Sequence, residues 1–247
     1  MSTPDWKVPD GSIEAVLGTY GKDLTAAAVT EPHPIFNAVA DEMPEVAARL
    51  SRASAHSLCF MGRPGSGKSA MINCFAQYIA AGKNLPNSLD GARVIQIDMA
   101  AIRSGAKFRG QVEEKLKPIL QGLTEREGVF KGHKIILACD ELPPLMGDGS
   151  GNDRALEMFV RFMSSPGNQM LVAATPQDFD MLGQSDPGFA RRFDVWEVLA
   201  PGERGSRRAA RQLVESFTRG AAQPVPVMKP LVLRRNSFGV MGKGLFA

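Results

Sequence analysis

Short apolar runs alternate with longer periodic segments along most of this chain. Ser57–Met61, Arg93–Asp98, Lys134–Asp140, Met170–Ala174 and Phe193–Val198 each read as a strand. Between them, Ala70–Ala81 reads as a helix stopped by Gly82, Gln111–Leu123 as an amphipathic helix, and Asp153–Ser164 as a further helix. Residues 40–53 are helical in pattern, with Pro44 near the start, where a first-turn N–H has no helical partner in any case. The strands are apolar on both faces, which is the pattern of a parallel sheet covered by helices on each side. The expected fold is α/β, a five-stranded parallel sheet flanked by helices, over residues 16–200. Residues 1–15 read as a flexible leader. Residues 201–220 hold a single basic helix, and 221–247, rich in Pro and Gly, read as an extended tail.

Composition narrows this picture. A chain of 247 residues with 44% hydrophobic and 22% charged residues suits one large soluble domain with a small accessory piece. The net charge of +3 hides an asymmetry: residues 201–247 carry nine Lys/Arg against two Glu, a net +7, so the rest carries −4. A basic tail on a mildly acidic body fits a contact with nucleic acid, an acidic partner or a membrane surface, or simply a solvated tail. No stretch approaches the ~18 apolar residues of a membrane span. The amino terminus lacks the apolar core of a signal peptide. Cys59, Cys74 and Cys139 lie in apolar segments without metal-ligand spacing, an odd set that fits a reducing compartment, so a cytoplasmic location is expected.

The chemistry concentrates in two motifs. Gly62-Arg63-Pro64-Gly65-Ser66-Gly67-Lys68-Ser69 follows the first of these strands, precedes a helix, and fits G-x-x-x-x-G-K-[ST] throughout. Glycines let the backbone curl so that successive N–H groups face one anion, and the following helix points its positive end at it. Lys68 is the expected cation for the β- and γ-phosphates of ATP, and the Ser69 hydroxyl the expected ligand of Mg²⁺. An ordinary Gly-rich turn is the alternative, and the strand and helix on the correct sides weigh against it. Further on, Ile135-Ile136-Leu137-Ala138-Cys139-Asp140-Glu141 is an apolar strand ending in two carboxylates. Asp140 suits a Mg²⁺ held through its water shell, and Glu141 suits the general base that polarises the attacking water. Alone, such an ending is a common strand-to-loop boundary. Paired with the phosphate loop, it supplies the other half of a hydrolytic site.

From Val16 to Pro201 the chain resembles the first ATPase domain of the Clp-type AAA+ unfoldases and disaggregases. Tyr20-Gly21-Lys22-Asp23-Leu24-Thr25 is similar to that family's lead-in. Asp98-Met99, followed by Gly105-Ala106-Lys107-Phe108-Arg109-Gly110-Gln111-Val112-Glu113-Glu114-Lys115-Leu116-Lys117, resembles the segment carrying pore loop 1. Asp140-Glu141-Leu142 with Gly147–Gly151 resembles Walker B and the second pore loop, and Pro187–Phe193 the arginine-finger segment. The resemblance implies a P-loop AAA+ domain that binds and hydrolyses ATP with Mg²⁺. It implies mechanical action on a polypeptide or a protein partner, as a homo-oligomer (usually a hexamer) or a hetero-assembly. Arg191 and Arg192 would stabilise charge on the neighbour's γ-phosphoryl group, with a surface pair or internal ion pair as the alternative. Phe108, framed by Lys107 and Arg109, would grip an unfolded polypeptide in the pore, with Gly105 and Gly110 giving the loop mobility. The alternative is a core Phe at a helix start, against which the flanking charges argue.

Three departures accompany the resemblance. His33-Pro34-Ile35-Phe36-Asn37-Ala38 stands where the family places Gly-Arg beside the adenine. Pro176, without an N–H, stands where a polar side chain would orient the attacking water, and Thr175 is the nearest substitute. The helical lid is truncated, with no sensor-2 Gly-Ala-Arg, and no amino-terminal substrate domain, coiled-coil insert or second ATPase domain is read. Two other functions stand beside a mechanical ATPase: a DNA-associated AAA+ helper using the basic tail, and a regulatory nucleotide-binding subunit with little turnover.

Overall fold

The computed structural model describes residues 13–52, 57–104, 109–140 and 154–200. The chain runs through α1 (Ile13–Tyr20), β1 (Gly21–Asp23), α2 (Leu24–Thr30), α3 (Phe36–Val39) and, after a 3-10 turn, α4 (Met43–Leu50). Next come β2 (Ser57–Met61), α5 (Lys68–Ala81), β3 (Arg93–Ile97), α6 (Met99–Arg103) and α7 (Arg109–Glu125). β4 (Ile135–Cys139), α8 (Arg154–Ser164), β5 (Asn168–Ala174), α9 (Pro176–Ser185), α10 (Pro187–Ala190) and β6 (Phe193–Glu197) follow.

The strands lie in the order β1-β3-β4-β5-β2-β6. β2 to β6 are the five expected strands, and all four pairings among them are parallel. β1 corrects the strand count: it is a sixth strand, antiparallel to β3 at the sheet's edge. Three residues, Gly-Lys-Asp, carry no apolar pattern, so only tertiary contacts define it. Asp98 donates its N–H to the Tyr20 carbonyl at 2.7 Å, and the Arg93 guanidinium pairs with the Asp23 carboxylate. The Thr25 hydroxyl accepts from the Val94 N–H at 2.7 Å. A Cβ on Gly21 would stand 2.3 Å from the Gln96 carbonyl oxygen, so this close pairing requires glycine.

Continuous apolar runs build two cores rather than one. Ile135, Leu137 and Cys139 face the layer filled by Leu116, Ile119, Phe159 and Phe162 of α7 and α8. Ile136 and Ala138 face the opposite layer, filled by Val46, Leu50, Met71 and Phe75 of α4 and α5. Successive residues of a strand point to opposite faces, so β4 must be apolar at every position. Each large side chain buried this way contributes about 1.5–3 kcal/mol.

Two boundaries differ from expectation. α5 begins at Lys68 rather than Ala70, because Gly67 takes a left-handed φ of 94° as N-cap and releases the helix at the next residue. α1 begins at Ile13, inside the stretch read as leader. The lid helix at 201–220 and the basic tail at 221–247, with the nucleic-acid contact read from it, lie outside the described residues. Among the described residues no helix is long and apolar enough to cross a membrane.

Candidate functional site

The phosphate loop leaves the carboxyl end of β2 clamped on both sides. Gly62 donates to the Ala174 carbonyl at 3.1 Å, and Val198 donates to the Met61 carbonyl at 2.7 Å. Gly62 leaves no room for a side chain: an added Cβ would stand 2.6 Å from both Ser66 Oγ and the Val198 carbonyl oxygen. Gly65 and Gly67 adopt φ of 76° and 94°, which turns the chain around the anion position. Lys68 Nζ donates to the carbonyls of Gly62 and Arg63, both at 3.0 Å, so its ammonium is folded over the loop itself. Arg63, Pro64 and Gly65 are exposed and Ser66 is buried, which leaves the outer curve of the loop open to a ligand. Ser69 is exposed on the first turn of α5, and the Asn73 amide ties its carbonyl at 2.9 Å.

Parallel register brings the acidic motif to the same edge. Ile97 pairs with Cys139, so Asp98 and Asp140 follow side by side at the tips of β3 and β4. Their environments separate their roles. Asp98 caps α6, accepting from the Ala101 N–H at 2.8 Å. Asp140 Oδ1 is buried with no hydrogen-bond partner among the described residues, an orphan acceptor that a hydrated cation would satisfy. A cavity of about 400 Å³, lined by Lys22, Gln96, Asp98, Met99 and Asp140, opens at these tips. Glu141, the next residue, lies outside the described residues. One strand, β5, separates β4 from β2, so Asp140 and Gly62 are roughly 10 Å apart across the sheet.

Thr175 stands at the end of β5, between those two elements. It is the N-cap of α9: its hydroxyl donates to Asp178 Oδ2 at 2.6 Å and accepts from the Asp178 N–H at 3.2 Å. The Thr175 N–H in turn reaches Asp178 Oδ2 at 3.2 Å, completing a capping box. Pro176 takes the first helical position, where proline is favoured. The Thr175 hydroxyl proton is thus engaged, and what remains free is acceptor capacity.

Arg191 and Arg192 follow α10 and precede β6. Ser57 pairs with Phe193, so both arginines sit at the amino edge of the sheet, opposite the phosphate loop. Arg191 is exposed, and Arg192 Nη1 lies 3.5 Å from Ser164 Oγ. Lys107 and Phe108 lie outside the described residues; Arg109 begins α7. Gly110 corrects the loop reading: it lies in the first turn of α7, where the helical backbone conformation limits its freedom. Sequence reasoning missed the role of Lys115, whose ammonium donates to the carbonyls of Ile102 and Ser104 at 3.0 and 2.9 Å and so ties the end of α6 to α7. It also missed the Asp178 box, although Thr175-Pro176-Gln177-Asp178 carries the capping pattern openly. The His33 segment is tied to α5: His33 donates its N–H to Gln77 Oε1 at 2.7 Å, and its Nδ1 lies 3.6 Å from Cys74 Sγ.

Known proteins share this arrangement. The family described as "ATPase family associated with various cellular activities (AAA)" matches residues 58–198. The chain is 30% identical over 203 residues to chaperone protein ClpB 2 of Parasynechococcus marenigrum (strain WH8102), covering 82% of this chain and 22% of that protein. It is 35% identical over 196 residues to the chloroplastic chaperone protein ClpB3 of Arabidopsis thaliana, covering 78% and 19%. Among solved structures, the S. cerevisiae Hsp104–ADP complex matches with TM-score 0.66 at 28% identity, over 81% of this chain and 33% of that one. The S. cerevisiae Hsp104–casein complex in its extended conformation matches with TM-score 0.61 at 27% identity, over 82% and 34%. The chain spans about a fifth of the length of the curated relatives it matches. It belongs to the AAA ATPase family, as a Clp-type AAA+ module.

Proposed function

We propose that this module binds ATP with Mg²⁺, hydrolyses it at interfaces between subunits of a ring, and uses the cycle to act mechanically on a polypeptide. The observation that carries the proposal is the division of the site. The phosphate loop, Thr175 and Asp140 share one edge of the sheet, while Arg191 and Arg192 stand at the other. A site that needs both edges needs two copies of the chain, or this chain and a partner subunit.

In this reading the backbone N–H groups of Gly62–Ser69 and the Lys68 ammonium hold the phosphates, the charged oxygens outcompeting the neutral carbonyls that Lys68 otherwise contacts. Ser69 and Asp140 would hold Mg²⁺, which supplies charge neutralisation at the β- and γ-phosphate oxygens. Glu141 takes a proton from water as the water oxygen bonds to the γ-phosphorus. The bond to the bridging oxygen breaks, giving ADP and inorganic phosphate. Arg191 and Arg192 of a neighbouring copy stabilise the charge spread over the transferring group. Thr175 offers the water an acceptor but no proton, which favours slow turnover and gives weight to a regulatory subunit as the second reading.

Relatives support the substrate class. Hsp104 has been solved with ADP and with casein, a nucleotide and a polypeptide. Lys107, Phe108 and Arg109 are the residues proposed to contact the polypeptide. ATPase assays with and without an unfolded protein, alongside mass in solution with and without nucleotide, test this directly. Phe108→Ala is expected to keep basal hydrolysis and lose stimulation by the unfolded protein. A wild-type chain that stays monomeric at full ATPase rate contradicts the proposal.

A further inference from the structure

At the amino edge of the sheet, a partly open cavity of about 350 Å³ lies between the end of α4, Ser88, the starts of β4 and β5, and the end of α8. Arg52, Lys134 and Arg192, from three separate parts of the chain, line it, and no carboxylate is among its described lining residues. Lys134 and Arg192 have no carboxylate partner among the described residues, whereas Arg52 has one at long range. Lys134 Nζ donates to the neutral Ser88 carbonyl at 2.7 Å, and among the described residues Arg192 Nη1 reaches only the Ser164 hydroxyl, at 3.5 Å. Arg52 Nη1 lies 3.8 Å from Asp194 Oδ2; Arg49 approaches the same carboxylate at 3.6 Å and that of Glu45 at 3.4 Å, and the exposed Arg52 pair is weak. Burial pushes the Lys134 ammonium below its ordinary value, the direction expected of a cation losing water without gaining a counter-charge.

The wall of this cavity is preorganised. Arg126 donates to the His133 carbonyl at 2.8 Å and to the Pro166 carbonyl at 2.6 Å, tying together the approaches to β4 and β5. Gly167 holds a φ of 79°, and a Cβ there would stand 2.7 Å from Arg126 Nη2. Three cations around one space repel one another, and a multiply charged oxyanion relieves that repulsion while accepting from all three. Guanidinium forks match the spacing of phosphate oxygens. Ser51 and Ser165, also in the lining, are neutral groups able to donate further hydrogen bonds.

We propose that this cavity is a second anion site, binding an oxyanion of the phosphate class through Arg52, Lys134 and Arg192. It stands at the opposite edge of the sheet from the phosphate loop of the same chain, so it is a separate site. Arg192 is shared with the role proposed toward a neighbour, and retention of phosphate binding in Lys68→Ala separates the two.

Calorimetric titration of inorganic phosphate, and separately of pyrophosphate, into the full chain with and without Mg-ADP tests the site. Saturable binding is expected with Mg-ADP present, retained in Lys68→Ala, and weakened roughly tenfold or more in Lys134→Gln and Arg52→Gln. Glutamine keeps an amide donor for the Ser88 carbonyl, and the Arg52 side chain is 60% exposed, so neither change threatens folding. Stronger binding of pyrophosphate than phosphate assigns a ligand with two linked phosphate groups; the reverse assigns free phosphate. Loss of binding in Lys68→Ala, unchanged binding in both cavity variants, or a response that never saturates overturns the proposal.

Discussion

Ser57 stands opposite Phe193 in the parallel β2–β6 ladder, and Met61 stands opposite Glu197 at its other end. One strand pair therefore carries Gly62 at one edge of the sheet and Arg192 at the other, with roughly 13 Å of β2 between them. That depth separates the arginines from the phosphate loop of their own chain. Mixing Lys68→Ala chains with Arg191→Ala/Arg192→Ala chains is expected to restore part of the ATPase activity that each lacks alone, because some interfaces then join an intact loop to intact arginines. Absence of recovery in assemblies shown to contain both chains counts against the trans role.

Gly62 makes a sharper structural prediction than the other loop glycines. Its absent Cβ would collide with the Val198 carbonyl, which belongs to backbone and cannot swing aside. Gly62→Ala is expected to displace the loop and weaken nucleotide binding roughly tenfold or more, a loss expected where several charge-assisted hydrogen bonds shift together. Gly110→Ala is the comparison: nothing lies within 4 Å of its added Cβ, and alanine favours a helix interior by about 0.5–1 kcal/mol. Fluorescent-nucleotide titration of the two variants separates them, and equal affinities contradict the argument.

Thr175 combines a structural and a catalytic expectation that can be measured apart. Thr175→Ala removes the capping box and is expected to lower stability by about 1 kcal/mol in denaturant titration. If its remaining acceptor capacity positions water, kcat falls severalfold while nucleotide affinity holds. Thr175→Ser keeps the hydroxyl and is expected to preserve both. A kcat unchanged in the alanine variant would confine the residue to capping.

Two buried thiols set an alkaline limit on the fold. Burial pushes the Cys59 thiol up to about 12 from an ordinary 9.0, despite the opposing Lys68 charge. Cys139 is pushed up further by burial, with the negative charge of Asp140 adding to it. An unfolded chain loses these protons from about pH 9, whereas the folded chain keeps them. The stabilisation is therefore complete below pH 9 and is lost as pH rises toward 12. Urea midpoints are expected to fall in that window, and less so in a Cys59→Ala/Cys139→Ala chain. A flat profile in the wild type contradicts the assignment.

Much of this is legible in the sequence, for identifiable reasons. β4 is buried on both faces, so its run of five apolar residues announces a central parallel strand without ambiguity. The phosphate loop is local chemistry: glycines, lysine and serine at fixed spacing. β1 was not legible, because Gly21–Asp23 is held by Arg93 and Gln96, which lie far along the chain. Nor was the isolation of Asp140 beside the capping role of Asp98, since two aspartates at strand ends look alike until register places them together. The engagement of the Thr175 hydroxyl is legible in Thr-Pro-Gln-Asp, whose spacing is that of a capping box.

Gly62–Ser69, Asp140 and Glu141 are proposed to form one hydrolytic site. Nucleotide affinity and ATP turnover measured side by side for the wild type, Lys68→Ala and Glu141→Gln test it most directly. Lys68→Ala is expected to lose nucleotide binding, because the phosphates lose their fixed cation. Glu141→Gln is expected to bind ATP as the wild type does and to turn it over at least a hundredfold more slowly, the effect being confined to the step that needs a base. Equal turnover by the wild type and Glu141→Gln contradicts the account.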